Sequence, residues 1–116
     1  MDDRAASEVA RAVVAALGPE ASAALVRVKI LVRARPTPPD LARGVHASQR
    51  GYFFGFAPEP ATGTEIPDDT IAEGELVIFA GVHTSALEVE RTLLHEIAHV
   101  LGHSEEEICE EMGLAP

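Results

Sequence analysis

Cysteine, aromatic residues and basic residues are all scarce in this sequence of 116 residues. The single cysteine, Cys109, has no partner for an internal disulfide, which excludes a disulfide-stapled scaffold. No apolar run approaches the roughly 20 residues that span a bilayer, which argues against a membrane protein. The chain opens with Asp2 and Asp3, where a secretory signal peptide would carry positive charge and then an apolar run. We therefore expect a cytoplasmic protein.

The length predicts one domain, residues 1–116, because a second domain would have no room. A chain of this size buries roughly 65% of its unfolded surface, enough for an ordinary hydrophobic core. No internal repeat or low-complexity segment interrupts it. The sequence gives no prediction of the oligomeric state.

Acidic residues outnumber basic residues by 19 to 9, and the formal net charge is -10. The excess lies in the second half, since residues 59–116 hold fourteen acids and one base, Arg91, while residues 1–58 hold five acids and eight bases. An acidic surface repels the phosphates of nucleic acids. A peptide or protein substrate therefore fits better than RNA or DNA.

Hydrophobic periodicity predicts both helices and strands. We expect an α+β fold in which a small mixed sheet packs against an N-terminal helix and a later, functional helix. The helices are expected at residues 3–17, 19–25 and 85–102, with a short last helix at 104–113, and the strands at residues 26–35, within 51–56, and 75–81. Residues 36–51 look irregular, and 57–69 resemble a long surface loop rich in Pro, Gly, Thr and acids.

The strand at 26–35 alternates apolar and basic residues, which predicts one buried and one solvated face. The apolar set is Val28, Ile30, Val32 and Ala34, and the basic set is Arg27, Lys29, Arg33 and Arg35. We interpret the basic face as a solvated surface that pairs with the acidic half of the chain. Attraction of an acidic substrate or partner is the alternative.

Four of the five aromatic residues lie in the segment 51–56. Such a cluster usually belongs to the core, and the alternative is an apolar pocket for a substrate side chain. Peptide specificity often depends on an edge strand beside the catalytic site and a pocket behind it. Residues 76–81 and 52–56 are the candidates for these two features.

The segment from His95 to Glu105 contains the strongest chemical motif, H-E-x-x-H. Histidines four apart on a helix project from one side, so both imidazoles can reach one tetrahedral Zn²⁺ ion. Glu96, beside the first histidine, is the expected general base. Ser85 and Glu88 form a capping-box pattern that begins a helix, and Gly102 is suited to ending it. The motif is therefore expected on a helix.

A catalytic zinc site needs a third protein ligand, and Glu105 is our candidate. On the predicted last helix Glu105 shares a side with Ile108, Cys109 and Met112, so this carboxylate turns inward with the apolar residues. A buried carboxylate requires a partner, which a metal would supply. Glu106 is the alternative, since helix ends shift by a residue or two.

These residues predict hydrolysis of a peptide bond by zinc-activated water, with Glu96 taking the proton and passing it to the leaving amine. The oxyanion could be stabilised by His83, His103 or Tyr52, and no spacing distinguishes among them. His46 and His83 are interpreted as loop residues rather than ligands. Cys109 is interpreted as a buried structural thiol.

With these residues in place, the chain resembles the minimal zincin family of small bacterial zinc metallopeptidases. The family signature is similar to H-E-x-x-H-x-x-G-x-x-D, and here it consists of His95, Glu96, His99, Gly102 and Glu105. The resemblance implies a small sheet, an active-site helix and a short closing helix. It covers the last third of the chain, while residues 1–74 carry no matching motif.

The sequence departs from related signatures at the third ligand. Glu105 stands where the minimal family usually has aspartate, which adds one methylene. The similar metzincin signature has a third histidine there and a methionine turn further on, and this chain has neither. A metal-binding or regulatory domain without turnover is the alternative function, and a small zinc-dependent endoribonuclease is disfavoured by Glu96, by Glu105 and by the acidic second half.

Overall fold

The computed structural model describes residues 1–56 and 72–103. In chain order, this part of the protein consists of α1 (Asp3–Ala15), α2 (Pro19–Ala24), β1 (Arg27–Arg33), α3 (Pro38–Ala42), β2 (Gly51–Phe56), β3 (Glu73–Phe79), a 3₁₀ turn (Ala80–Val82) and α4 (Ala86–Val100). The predicted α+β class is confirmed. The expected loop at 57–69 and the expected helix at 104–113 lie outside the described residues.

The three described strands form one mixed sheet in the order β1-β3-β2. β3 is parallel to β1 and antiparallel to β2. The nearly continuous apolar sequence of β3 reflects this central position, because residues 76–79 are buried on both faces of the sheet. A nearly continuous apolar run bounded by Gly74 and Gly81 predicts an inner strand, and the structure confirms this expectation.

One face of the sheet packs against α1 and α4 and forms the main core. α1 lies over β1, and α4 lies over β3 and β2. Leu76 and Ile78 of β3 contact this core, and Val28, Ile30 and Val32 of β1 pack against it. The predicted alternation is therefore confirmed for these three residues of β1, whereas Ala34 lies beyond the strand and is exposed. Each helix contributes small or branched residues, including Ala6, Ala10, Val13, Val89, Leu93, Ile97 and Val100.

The opposite face of the sheet carries a second apolar cluster around Val77 and Phe79. The ring of Tyr52 stacks on Phe79, with ring centroids 5.9 Å apart. Phe53 points to the other face and packs against the main core, whereas Phe54 and Phe56 are 49% and 57% exposed. The aromatic segment is thus divided, and only its first part belongs to the core.

Residues 38–42 form a short helix, so the prediction of irregular structure over 36–51 is wrong at these residues. Pro38 occupies the first turn, where its missing N–H removes no hydrogen bond. Asp40 is fully buried and accepts hydrogen bonds from the Thr37 N–H at 2.8 Å and from the Thr37 hydroxyl at 2.9 Å. These bonds fix the start of the helix against the sheet.

Asp40 also joins α3 to two strands. Arg33 of β1 donates to Asp40 Oδ1 at 2.6 Å, and the Tyr52 hydroxyl of β2 donates to the same oxygen at 2.5 Å. Arg33 is thus paired with an acid of the first half, whereas Arg27 and Lys29 lie opposite Glu73 and Glu75 of the acidic half in the sheet register, as expected. Arg27 and Lys29 of the same basic face are exposed and form no ion pair within residues 1–56 and 72–103.

Within the part of the chain that the structure describes, no helix combines the length and the apolarity that crossing a bilayer requires.

Gly55 and Gly74 face each other across β2 and β3, and both have positive φ, +150° and +149°. A Cβ on Gly55 would lie 2.2 Å from the Glu73 carbonyl oxygen and 2.7 Å from the Gly74 Cα. Both contacts are with main-chain atoms, which cannot move aside without breaking the strand pairing. This close approach therefore requires glycine.

Replacing Gly55 by Ser is expected to lower the free energy of unfolding by about 1–3 kcal/mol, because the new Cβ strains the backbone. Gly18→Ser is the matched control, since Gly18 has φ of -67° and open space around it, and serine is a good N-cap. Urea unfolding followed by circular dichroism measures both. Equal stability of the two variants would contradict the account.

Candidate metal centre

The N-terminus of α4 is held by the residues just before it. Ser85 Oγ accepts a hydrogen bond from the Glu88 N–H at 3.2 Å, as the capping-box pattern predicted. The Glu88 carboxylate accepts from the N–H of Thr84 at 3.0 Å and from the Thr84 hydroxyl. In a standard capping box the Glu88 carboxylate would accept from the Ser85 N–H, but here it accepts from Thr84 instead. The helix still begins where it was predicted.

The C-terminus of α4 ends in a Schellman motif at Gly102, which has φ of +94°. The Gly102 N–H donates to the His99 carbonyl at 3.0 Å, and the His103 N–H donates to the Ala98 carbonyl at 3.0 Å. A left-handed glycine at this position was predicted and is confirmed. The turn fixes the direction in which the chain leaves the helix, directly after His99.

His95 and His99 lie one turn apart on α4, with ring centroids 4.9 Å apart and ring planes at 70°. His95 is 8% exposed, while His99 and Glu96 are half-buried. The prediction that both imidazoles project from one side of a helix is confirmed, and Glu96 follows His95 on that helix. Two imidazoles at this separation suit zinc, which favours histidine nitrogen and tetrahedral coordination.

The third ligand is the part of the site that the structure leaves open. No group of three His, Cys, Asp or Glu side chains suited to a metal occurs among residues 1–56 and 72–103. Glu105, its alternative Glu106, and Cys109 lie outside the described residues. Glu105, which follows Gly102 by three residues in the sequence, therefore stays a prediction as the third ligand.

His83 holds α4 against the sheet. Its ring is buried, with Nδ1 2.7 Å from the Phe79 carbonyl oxygen and Nε2 2.8 Å from the Thr92 hydroxyl. Burial lowers the pKa of His83, which favours the neutral ring with Nδ1–H donating to the carbonyl and Nε2 accepting from Thr92. His83 is thus a structural tether, and no local pattern in the sequence indicates its burial.

Thr92 shows which side of α4 carries the motif. A Cβ placed on Gly51 of β2 would lie 3.2 Å from Thr92 Cγ2, so this side of the helix sits over β2. Thr92, Glu96 and His99 are spaced i, i+4 and i+7, which puts them on the same side of the helix. β2 is therefore the strand beside the candidate centre.

Two earlier expectations about the surroundings of the site need correction. Residues 76–81 were a candidate edge strand, but β3 has a partner on both sides and is central. Tyr52 was a candidate for stabilising an oxyanion, but its hydroxyl is bound to Asp40 on the sheet face opposite α4. Of the three candidates, His103 is half-buried next to Gly102, and His83 is engaged as described above.

Comparison with known proteins neither supports nor contradicts the resemblance to the minimal zincin family. No protein-family model matches the chain, and a search of curated proteins finds no relative. The resemblance to minimal zincins therefore rests on His95, Glu96, His99, Gly102 and Glu105 alone, and membership of that family stays a prediction.

Proposed function

We propose that this protein is a zinc-dependent metallopeptidase. The observation that carries the proposal is the pair of imidazoles on one side of α4, His95 and His99, with the Glu96 carboxylate next to the first of them. His95 and His99 would hold the metal together with Glu105. A domain that only binds a metal has no use for a base beside it, and the presence of Glu96 therefore favours an enzyme.

In the proposed hydrolysis of a peptide bond, the metal and Glu96 have different roles. When bound, zinc would lower the pKa of a coordinated water and polarise the substrate carbonyl. Glu96 accepts a proton from the water that attacks the carbonyl carbon, and it delivers that proton to the nitrogen of the leaving amine. Glu96 is half-buried and follows His95 directly on α4.

The outer edge of β2 is a candidate binding surface for an extended substrate. Thr92 places β2 beneath the side of α4 that carries the motif, and no described strand pairs with the outer edge of β2. An extended peptide can add to such an edge through main-chain hydrogen bonds. This arrangement supports a peptide or a flexible protein segment as the substrate, rather than a nucleic acid.

We infer a cytoplasmic location for this activity. A chain with a single cysteine gains no internal disulfide from an oxidising compartment.

The proposal is tested by removing and restoring the metal during an assay against a broad peptide library. The zinc-loaded chain is expected to cleave a subset of the peptides, a chelator to abolish the cleavage, and added zinc to restore it. Mass spectrometry of the products identifies the bond that is cut. A chain that holds zinc and cleaves no peptide in the library would support the alternative of a non-catalytic metal-binding domain.

A further inference from the structure

A groove of about 500 Å³ lies between α1 and β1. β1 and β2 form opposite edges of the described sheet, so the groove is at the edge away from β2. Its walls are mainly apolar and include Ser7, Arg11 and Val14 of α1 and Val28, Ile30 and Val32 of β1. The three β1 residues pack against the core and are only half-buried. Apolar surface of β1 is therefore left partly uncovered beside α1.

The outer edge of β1 lines this groove. β1 pairs with β3 on one side, and none of the described strands pairs with it on the other. Unpaired main-chain N–H and C=O groups along an edge can accept an added strand. Side chains of such a strand that point towards α1 would enter the groove beside Val28, Ile30 and Val32.

The opposite face of β1 determines which strand would fit. Arg27 and Lys29 alternate with the groove residues and are exposed. On the inner side they lie opposite Glu73 and Glu75 of β3 in register, but neither forms an ion pair among the described residues, so both can face acids of a strand added on the outer side. Arg11 adds a third exposed cation on the helix side of the groove. An added strand would place its outward side chains next to Arg27 and Lys29, at a distance at which opposite charges attract.

We propose that the β1 edge and its groove bind an extended protein segment in which acidic and apolar residues alternate. The apolar residues enter the groove, the acidic residues face Arg27 and Lys29, and the main chains pair. A second copy of this chain fits poorly, because pairing β1 with β1 would bring like charges together. This surface is separate from the candidate metal centre, so the proposal does not depend on the enzymatic one.

The probe is a synthetic nine-residue peptide of alternating glutamate and valine, blocked at both ends and carrying a fluorophore. Its binding to the full chain is measured by fluorescence anisotropy, in a Glu96→Gln background that prevents cleavage. Two control peptides separate the contributions, one with lysine in place of glutamate and one with N-methyl groups on alternate residues. Both are expected to lose binding, since the first reverses the charges and the second blocks main-chain pairing.

Two variants test the site itself. Lys29→Glu is expected to weaken binding about fivefold, as the loss of one cross-strand charge pair predicts. Ala15→Trp, which fills the groove from α1, is expected to weaken it about tenfold or more. Arg91→Glu and Ala12→Trp are matched controls at exposed positions outside the groove and should bind as the unaltered chain does.

Three results would overturn the proposal. The first is a failure of the unaltered chain to bind the glutamate–valine peptide, or binding by Lys29→Glu and Ala15→Trp that is as tight as that of the unaltered chain. The second is slow amide hydrogen exchange along both edges of β1 before the peptide is added, which would show that another part of the chain covers the edge. The third is a dimer in sedimentation that the peptide dissociates, which would assign the surface to a second copy.

Discussion

Replacing Glu96 by Gln is expected to lower the rate of peptide hydrolysis by about 10²- to 10⁴-fold, the range for a positioned acid–base residue, while zinc stays bound. Glutamine keeps the size and the position of the side chain but cannot accept the proton of the attacking water. The metal would be held by His95, His99 and Glu105, none of which changes. Steady-state kinetics on the best library peptide, together with metal analysis of the same sample, measures both effects.

Glu90→Gln is the matched control for this prediction, because Glu90 is an exposed carboxylate on the same helix. It changes the net charge equally and should leave the rate unaltered. If Glu96→Gln and Glu90→Gln retain the same activity, Glu96 is not the base. If Glu96→Gln instead loses zinc, its carboxylate serves the metal rather than the proton.

Asp40→Ala is expected to destabilise the protein by about 3 kcal/mol, the lower end of the range for breaking a buried ion pair. The substitution leaves Arg33 and the Tyr52 hydroxyl without the carboxylate that they bond. The lower end applies because the Arg33 side chain is still 30% exposed and can be hydrated. Urea unfolding measures the loss, and Asp3→Ala on the exposed first turn of α1 is the control. A loss no larger than that of Asp3→Ala would contradict the role given to Asp40.

The ionisation of Asp40 is expected to make the free energy of unfolding depend on pH in the acidic range. Burial alone would raise the pKa of Asp40, but hydrogen bonds from Thr37 and Tyr52 and the charge of Arg33 lower it from 3.8 to about 2. Since the folded state holds the ionised form more tightly, the stabilisation is complete above about pH 4 and is lost as the pH falls towards 2. Asp40→Asn should remove this part of the acid dependence.

Local signals in the sequence predicted the elements that position the motif. Ser85 and Gly102 set both ends of α4 because caps depend on neighbouring residues only. The alternation of Val28, Ile30 and Val32 predicted the buried face of β1 for the same reason. Side chains four apart on one helix are brought together by that helix, so the approach of His95 and His99 also followed from spacing.

Features that depend on distant contacts were not predictable in this way. The apolar run at 75–81 indicated an inner strand, but periodicity does not show which strands flank it, and the same residues were also considered for the edge that binds substrate. The three prolines at 36, 38 and 39 indicated a break, although Pro38 fits the first turn of a helix. The tether formed by His83 requires Phe79 and Thr92, which meet it only in the folded chain.

The most direct test of a zinc site on α4 is the zinc content of the purified chain and of two variants, His99→Ala and Glu105→Ala. About one zinc ion per chain is expected in the unaltered protein, and both variants should bind it more weakly, because a catalytic site has three protein ligands. His46→Ala, at an exposed histidine away from α4, should keep its zinc. Unchanged affinity in Glu105→Ala alone would remove Glu105 as the third ligand. Unchanged zinc content in His99→Ala would contradict the metal centre itself.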